Sequence, residues 1–274
     1  DHRDLHSFPT RRSSDLDDYG NYVMHVLNAN GVNTDMITGV DGGITSFTQV
    51  ISVDGGQRTF FTYSGASAEF GMDDINFSAL NADIIHLGYF LLLERVDGGD
   101  GIKILEKAQK AGIKTSIDLV SENSNRYKTV IPCLKYTDYL IINELEGGRL
   151  TNIEPSMENI SLIAERLLKS GVNEKVIIHF ADGSVCMSKD GKLTSLGSYE
   201  LPDNYIKGTT GAGDAFCAGA LIGIYNKLSD REILEYATAC AAMALGAQDA
   251  TSGLTDIKTA FEKTKALKRK KLCL

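Results

Sequence analysis

Apolar side chains return at helical spacing early in the chain. Tyr22, Val23, Val26 and Leu27 share one face of a predicted helix over 20–31, and Gly31 marks its stop. The pattern then switches to β-branched and aromatic runs, Ile44–Val53 and Gln57–Tyr63, on either side of Asp54-Gly55-Gly56. Two such runs around Asp-Gly predict a β-hairpin. Polar residues occupy much of both faces, so the hairpin reads as a flap, or lid, over about 44–64 rather than as part of a central sheet. Phe47, Ile51 and Val53 share a face that one chain does not readily cover, which suits closure over a substrate or a homodimer paired through the lid.

From Ala82 the rhythm becomes short apolar strands separated by helices. Strands are expected at Ile84–Leu87, Thr115–Leu119, Tyr139–Ile142 and Val176–Phe180, with helices at about 99–111, 124–132 and 156–170. This alternation predicts an α/β fold, a mostly parallel sheet covered by helices on both faces. Ser229-Asp230-Arg231-Glu232 is a capping box that opens a helix running to about Leu245.

Composition narrows the function classes. With 274 residues, 43% of them hydrophobic, the chain can bury the core of one domain. A net charge of −8 argues against nucleic acid as a partner, because backbone phosphates must be neutralised by Lys and Arg. Five cysteines without C-x-x-C spacing read as reduced thiols of a cytoplasmic protein. No apolar run reaches the ~20 residues of a membrane span, so no membrane partner is expected. His25 and His86 stand alone in the sequence without metal-ligand spacing, and the basic tail Lys263–Lys271 reads as a solvated chain end.

The chemistry concentrates in Lys207–Phe216. Gly208, Gly211 and Gly213 precede a predicted helix that carries Ala215, Ala218, Gly219, Leu221 and Ile222. Glycines let successive N–H groups turn to one point, and a helix start adds further donors and a positive dipole end. That combination cradles a phosphate. Asp214, in the first turn, stays ionised there and is placed to take a proton from an alcohol. From spacing alone, a glycine turn whose Asp merely caps the helix fits equally well. A dinucleotide loop would need glycine where Phe216 stands, and a Walker A loop would need G-K-[ST].

Residues 208–220 resemble the C-terminal signature of the ribokinase family, the PfkB carbohydrate kinases, whose pattern is approximately D-T-x-G-A-G-D-x-F. The similarity runs over essentially all of 17–274. It implies a three-layer ribokinase-like fold with a small β lid, and transfer of the γ-phosphate of ATP to a hydroxyl of a small sugar or sugar-like alcohol. By the same resemblance Asp214 is the catalytic base, and Gly211, Ala212 and Gly213 form the anion hole for the ATP phosphates. Asn143-Glu144-Leu145-Glu146 matches the family's N-x-x-E element, which associates Asn143 and Glu146 with ATP and Mg²⁺, Glu146 acting on the metal through water. The nucleotide strand-turn is represented by Ile178–Ser184, with His179, Ala181 and Gly183 on the nucleotide side and Ala181 at a usual glycine. Gly208 stands where the signature opens with Asp, which implies weaker activation by potassium. A nucleoside kinase of the same fold, or a non-catalytic sugar or nucleotide sensor, are the alternatives.

Asp1–Leu16, DHRDLHSFPTRRSSDL, resembles the in-frame translation of a sequencing adapter. The native domain is therefore expected to occupy 17–274, with the family's first strand and substrate loop missing upstream.

Overall fold

The computed structural model describes residues 16–37, 39–40, 42–51, 59–122 and 125–272. Residues 1–15 of the leader expected over 1–16, the hairpin turn Asp54–Gly56 and Cys273 lie outside the described residues. The chain divides into two compact units, Asp1–Ala82 with Tyr89–Ile113, and Asp83–Gly88 with Lys114–Leu274.

In the first unit, helix α1 (Asp18–Ala29) begins earlier than its apolar periodicity suggests because Asp17 caps it. One Asp17 carboxylate oxygen accepts from the Gly20 N–H at 2.8 Å and from the Thr45 hydroxyl at 2.7 Å; the other accepts from the Thr45 N–H at 2.9 Å. Those bonds, the Thr45 hydroxyl first, hold the Asp17 carboxyl below its ordinary range. They also tie the helix start to the segment that leads into the hairpin. Strands β1 (Phe47–Ile51) and β2 (Thr59–Tyr63) pair antiparallel, Phe47 opposite Tyr63 and Ile51 opposite Thr59. Every residue of both strands is exposed, so the hairpin exists and neither face is covered within its unit. Helix α2 (Gly101–Lys110) completes the unit and buries Ile104, Leu105 and Ala108.

The second unit is built on six strands in spatial order β3 (Ile84–Phe90, of which 84–88 belong here), β4 (Lys114–Leu119), β5 (Tyr139–Asn143), β6 (Lys175–Phe180), β7 (Gly183–Ser188) and β8 (Leu193–Gly197). β4, β5 and β6 are parallel, with Ile141 beside Ile177, Ile142 beside Ile178 and Asn143 beside His179. Strand alternation sends these pairs to opposite faces. Ile141 and Ile177 join Phe216, Cys217 and Ala220 of α5 (Ala212–Tyr225) and Ile233, Leu234 and Ala237 of α6 (Asp230–Leu245). Ile142 and Ile178 face the opposite helices, α3 (Glu144–Thr151) and α4 (Ile160–Lys169), where Ile163 lies close over Gly147. Each of these fully buried isoleucines contributes roughly 1.5–3 kcal/mol over an exposed one.

Several expectations need correction. The helix expected at 124–132 is two 3-10 segments, Arg126–Thr129 and Ile131–Tyr136, since Pro132 lacks the N–H that would continue an α-helix. The helix expected at 156–170 starts only at Ile160, and α3 was not anticipated at all. The mostly parallel sheet is as expected, but β7 and β8 were not anticipated and add antiparallel pairings beside the parallel β4–β6. The basic tail is not simply solvated. Beyond α7 (Ile257–Thr264) residues 268–270 run beside 198–200, with Arg269 bridged to Tyr199 in antiparallel fashion and its guanidinium 4.1 Å from the Tyr199 ring centre. Among the described residues no helix is long and apolar enough to cross a membrane.

Candidate functional site

Parallel strands deliver their C-terminal ends to one side of a sheet, where open α/β folds bind ligands. β4, β5 and β6 do this with Asp118, Ser121, Asn143 and His179. Asn143 ends β5 and caps α3: its side-chain oxygen accepts from the Glu146 N–H at 2.9 Å, and Glu146 Oε2 accepts from the Asn143 N–H at 3.0 Å. Ser121, just beyond β4, closes the ring by donating to Glu146 Oε1 at 2.8 Å and accepting from Asn143 Nδ2 at 2.8 Å. Asn143 and Glu146 are thus a helix cap fastened to the neighbouring strand, and both Glu146 oxygens are engaged. Glu146 is 4% exposed, and burial pushes its carboxyl up to about 7 against the opposing hydrogen bonds from Asn143 and Ser121.

Helix α5 starts at the glycine cradle. Gly211 is its N-cap at φ 78°, in the left-handed region. The Ala212 N–H turns back to Thr209 O at 3.4 Å, and the first full helical bond runs from the Ala215 N–H to Gly211 O at 2.8 Å. Asp214 is exposed in this first turn, with Gly213 beside it. A Cβ on Gly213 would sit 3.6 Å from the His179 ring, which itself packs 4.8 Å from the Phe216 ring. Burial lowers His179 to about 4, so it is a neutral strand residue at neutral pH. Ala181 and Gly183 flank the tight β6–β7 turn, and a Cβ on Gly183 would lie 2.5 Å from Leu196 O, so close packing against β8 requires glycine there. A Cβ on Gly208 would meet Gln248 O at 2.7 Å and Ala247 O at 2.9 Å, so an Asp there requires this backbone to move.

Asp118 was not singled out in the sequence, yet it links these parts: its charge acts on Glu146, on His179 and on Cys217, where Asp214 also acts. Ser121 was missed as well. Nothing marks either residue in the sequence except its place at the end of a predicted strand.

Glu146 and His179 make opposite contributions to stability. Glu146 holds its proton more tightly folded than unfolded, so between its ordinary 4.5 and about 7 stability falls as pH rises. His179 is depressed from 6.5 to about 4, so the unfolded chain holds the extra proton in that window and stability rises with pH. Glu146→Gln is therefore expected to give a melting temperature that climbs from pH 4.5 to 6.5, and His179→Gln one that falls across the same range. Parallel melting curves for both variants and the parent would contradict this.

Comparison with known proteins agrees with the geometry. The pfkB family carbohydrate kinase profile matches residues 16–257. The probable fructokinase-6, chloroplastic, of Arabidopsis thaliana is 27% identical over 257 residues, covering 87% of this chain; the chain spans 65% of that relative's length. The crystal structure of adenosine kinase from Sinorhizobium meliloti superposes with a TM-score of 0.78 at 20% identity, over 95% of this chain and 78% of that one. Arabidopsis thaliana ribokinase complexed with ribose and ATP gives 0.74 at 24% identity, over 92% and 79%. With the profile matched across most of its length, and the fold shared with these structures, the chain belongs to the pfkB family of carbohydrate kinases.

Proposed function

We propose that this chain catalyses transfer of the γ-phosphate of ATP to a hydroxyl of a small sugar or sugar-like substrate, with Asp214 as general base. The carrying observation is the start of α5, where an exposed carboxylate stands beside a left-handed glycine turn in the first helical turn. The helix start, with Gly211, Ala212 and Gly213, receives the phosphate oxygens and the negative charge that develops during transfer. Asp214 accepts the hydroxyl proton as that oxygen attacks phosphorus. Positioning and electrostatics supply most of the acceleration in such reactions.

Asn143 and Glu146 fit an indirect hold on Mg²⁺. Glu146 is buried with both oxygens hydrogen-bonded, which suits contact through water better than direct ligation. Mg²⁺, when bound with ATP, offsets the phosphate charge. His179 and the β6–β7 turn at Ala181 and Gly183 form the nucleotide side. The β1–β2 hairpin, exposed on both strands, offers the surface for a homodimer.

The adenosine kinase likeness favours a second reading, a nucleoside acceptor. Acceptor-dependent ADP release, measured with ATP and Mg²⁺ across sugars and nucleosides, separates the two. Release with no acceptor class, or release independent of acceptor, would overturn the kinase assignment and favour a sensor.

A further inference from the structure

We propose that His86, Asp118 and Cys217 form a binding site for one divalent transition-metal ion of the zinc class. His86 stands alone in the sequence, but β3 lies beside β4, and α5 brings Cys217 over both. His86 Nε2 is 3.5 Å from Asp118 Oδ2 and 3.8 Å from Cys217 Sγ, and one ligand atom from each residue falls within 4.8 Å of the others. Tetrahedral zinc bonded to N, O and S at ordinary lengths separates its ligand atoms by about 3.3–3.6 Å. The two separations from His86 Nε2 therefore lie within a few tenths of an ångström of those values, and the Asp118–Cys217 pair closes to at most 4.8 Å.

A second observation points to a metal. His86 Nδ1 lies 3.2 Å from the hydroxyl of Ser116, a fully buried residue of β4. With the Nδ1–H donating to Ser116 Oγ, the Nε2 lone pair faces Asp118 and Cys217. This is the outer hydrogen bond that fixes the tautomer of a metal-bound histidine. The mixed N, O, S set favours zinc or cobalt over Mg²⁺, which prefers oxygen ligands alone. Three protein ligands leave a fourth position for water. Burial, with Asp118 and Asp214 nearby, keeps the Cys217 thiol protonated in the absence of metal. On binding, the sulfur–metal bond forms and that proton leaves to solvent, so the charge balances without a redox step.

The test is titration of metal-free protein, kept reduced with a phosphine, with Co²⁺ alone. We expect one equivalent to produce a cobalt–thiolate charge-transfer band and the intense visible bands of four-coordinate cobalt, both erased by Zn²⁺. Cys217→Ser should abolish the charge-transfer band, and Ser116→Ala should weaken affinity at least about 10-fold. His86→Gln, at a partly exposed position that tolerates change, should lose the four-coordinate spectrum even if Cys217→Ser folds poorly. Absence of the thiolate band in the parent protein, or its persistence in Cys217→Ser through Cys133, Cys186 or Cys240, would overturn the site. The readout needs neither ATP nor turnover, so its failure would leave the proposed kinase activity standing, and the reverse holds too.

Discussion

Asp214→Asn is expected to fold normally and to lose at least about 10²-fold in kcat, the usual contribution of a general base. The residue is exposed in the first turn of α5, where a side chain of the same size is accommodated without crowding. Asn matches Asp in size, and removing the negative charge from the helix start costs about 0.3–1 kcal/mol. The cradle formed by Gly211, Ala212 and Gly213 stays as it is, and KM for ATP should therefore change little. What disappears is the proton acceptor. Steady-state kinetics with whichever acceptor supports ADP release, together with a thermal melt, decide the matter. A variant that keeps most of the parent kcat would remove Asp214 from the chemistry. A variant that loses activity because it no longer melts cooperatively would contradict the placement of Asp214 on an exposed first turn.

The second large effect separates two glycines that the sequence alone makes equivalent. Gly211 has φ 78°, and a Cβ there would lie 2.6 Å from Ala250 O and 2.7 Å from Ala250 Cα, both backbone atoms. Gly211→Ala therefore meets the left-handed penalty of roughly 1–2 kcal/mol and must also push the 250 loop aside. For a chain of this size each kcal/mol is worth about 2–4 °C, so a fall of roughly 2–8 °C in melting temperature is expected from that penalty alone. ATP affinity should fall with it, because the turn that aims the cradle has moved. Gly213→Ala places its Cβ 3.6 Å from the His179 ring, an ordinary contact, and should melt close to the parent. Equal melting temperatures for the two variants would show that the Gly211 turn is not under the constraint described.

What the sequence reveals depends on whether a signal is local. Tyr139–Ile142 and Val176–Phe180 announce themselves because both faces of each strand are covered, which leaves unbroken apolar runs. The helix after Ser229 is equally legible, since its capping box is written in consecutive residues and forms as read. β7 and β8 escape because Gly-Ser-Val-Cys-Met-Ser and Leu-Thr-Ser-Leu-Gly mix small and polar residues, whose burial comes from neighbouring strands. At Asn143 the N-x-x-E spacing carries a cap as well as a family motif, and only the structure shows it fastened to Ser121. Asp118, His86 and Cys217 come together through strand order and helix docking, which no spacing along the chain encodes.

The tail beside Tyr199 has a consequence for how the chain is made. Arg269 and Tyr199 are separated by 70 positions, and Lys270 closes against Gly197 at the end of β8. At ribosomal rates of ~5–20 residues per second, that partner arrives roughly 4–14 s after Tyr199 is synthesised. During that interval the 198–200 segment just beyond β8 presents unpaired N–H and C=O groups, a template for other strands. The few basic residues after α7 thus act as a closing seam, and the nascent chain is most exposed to wrong partners just before they emerge.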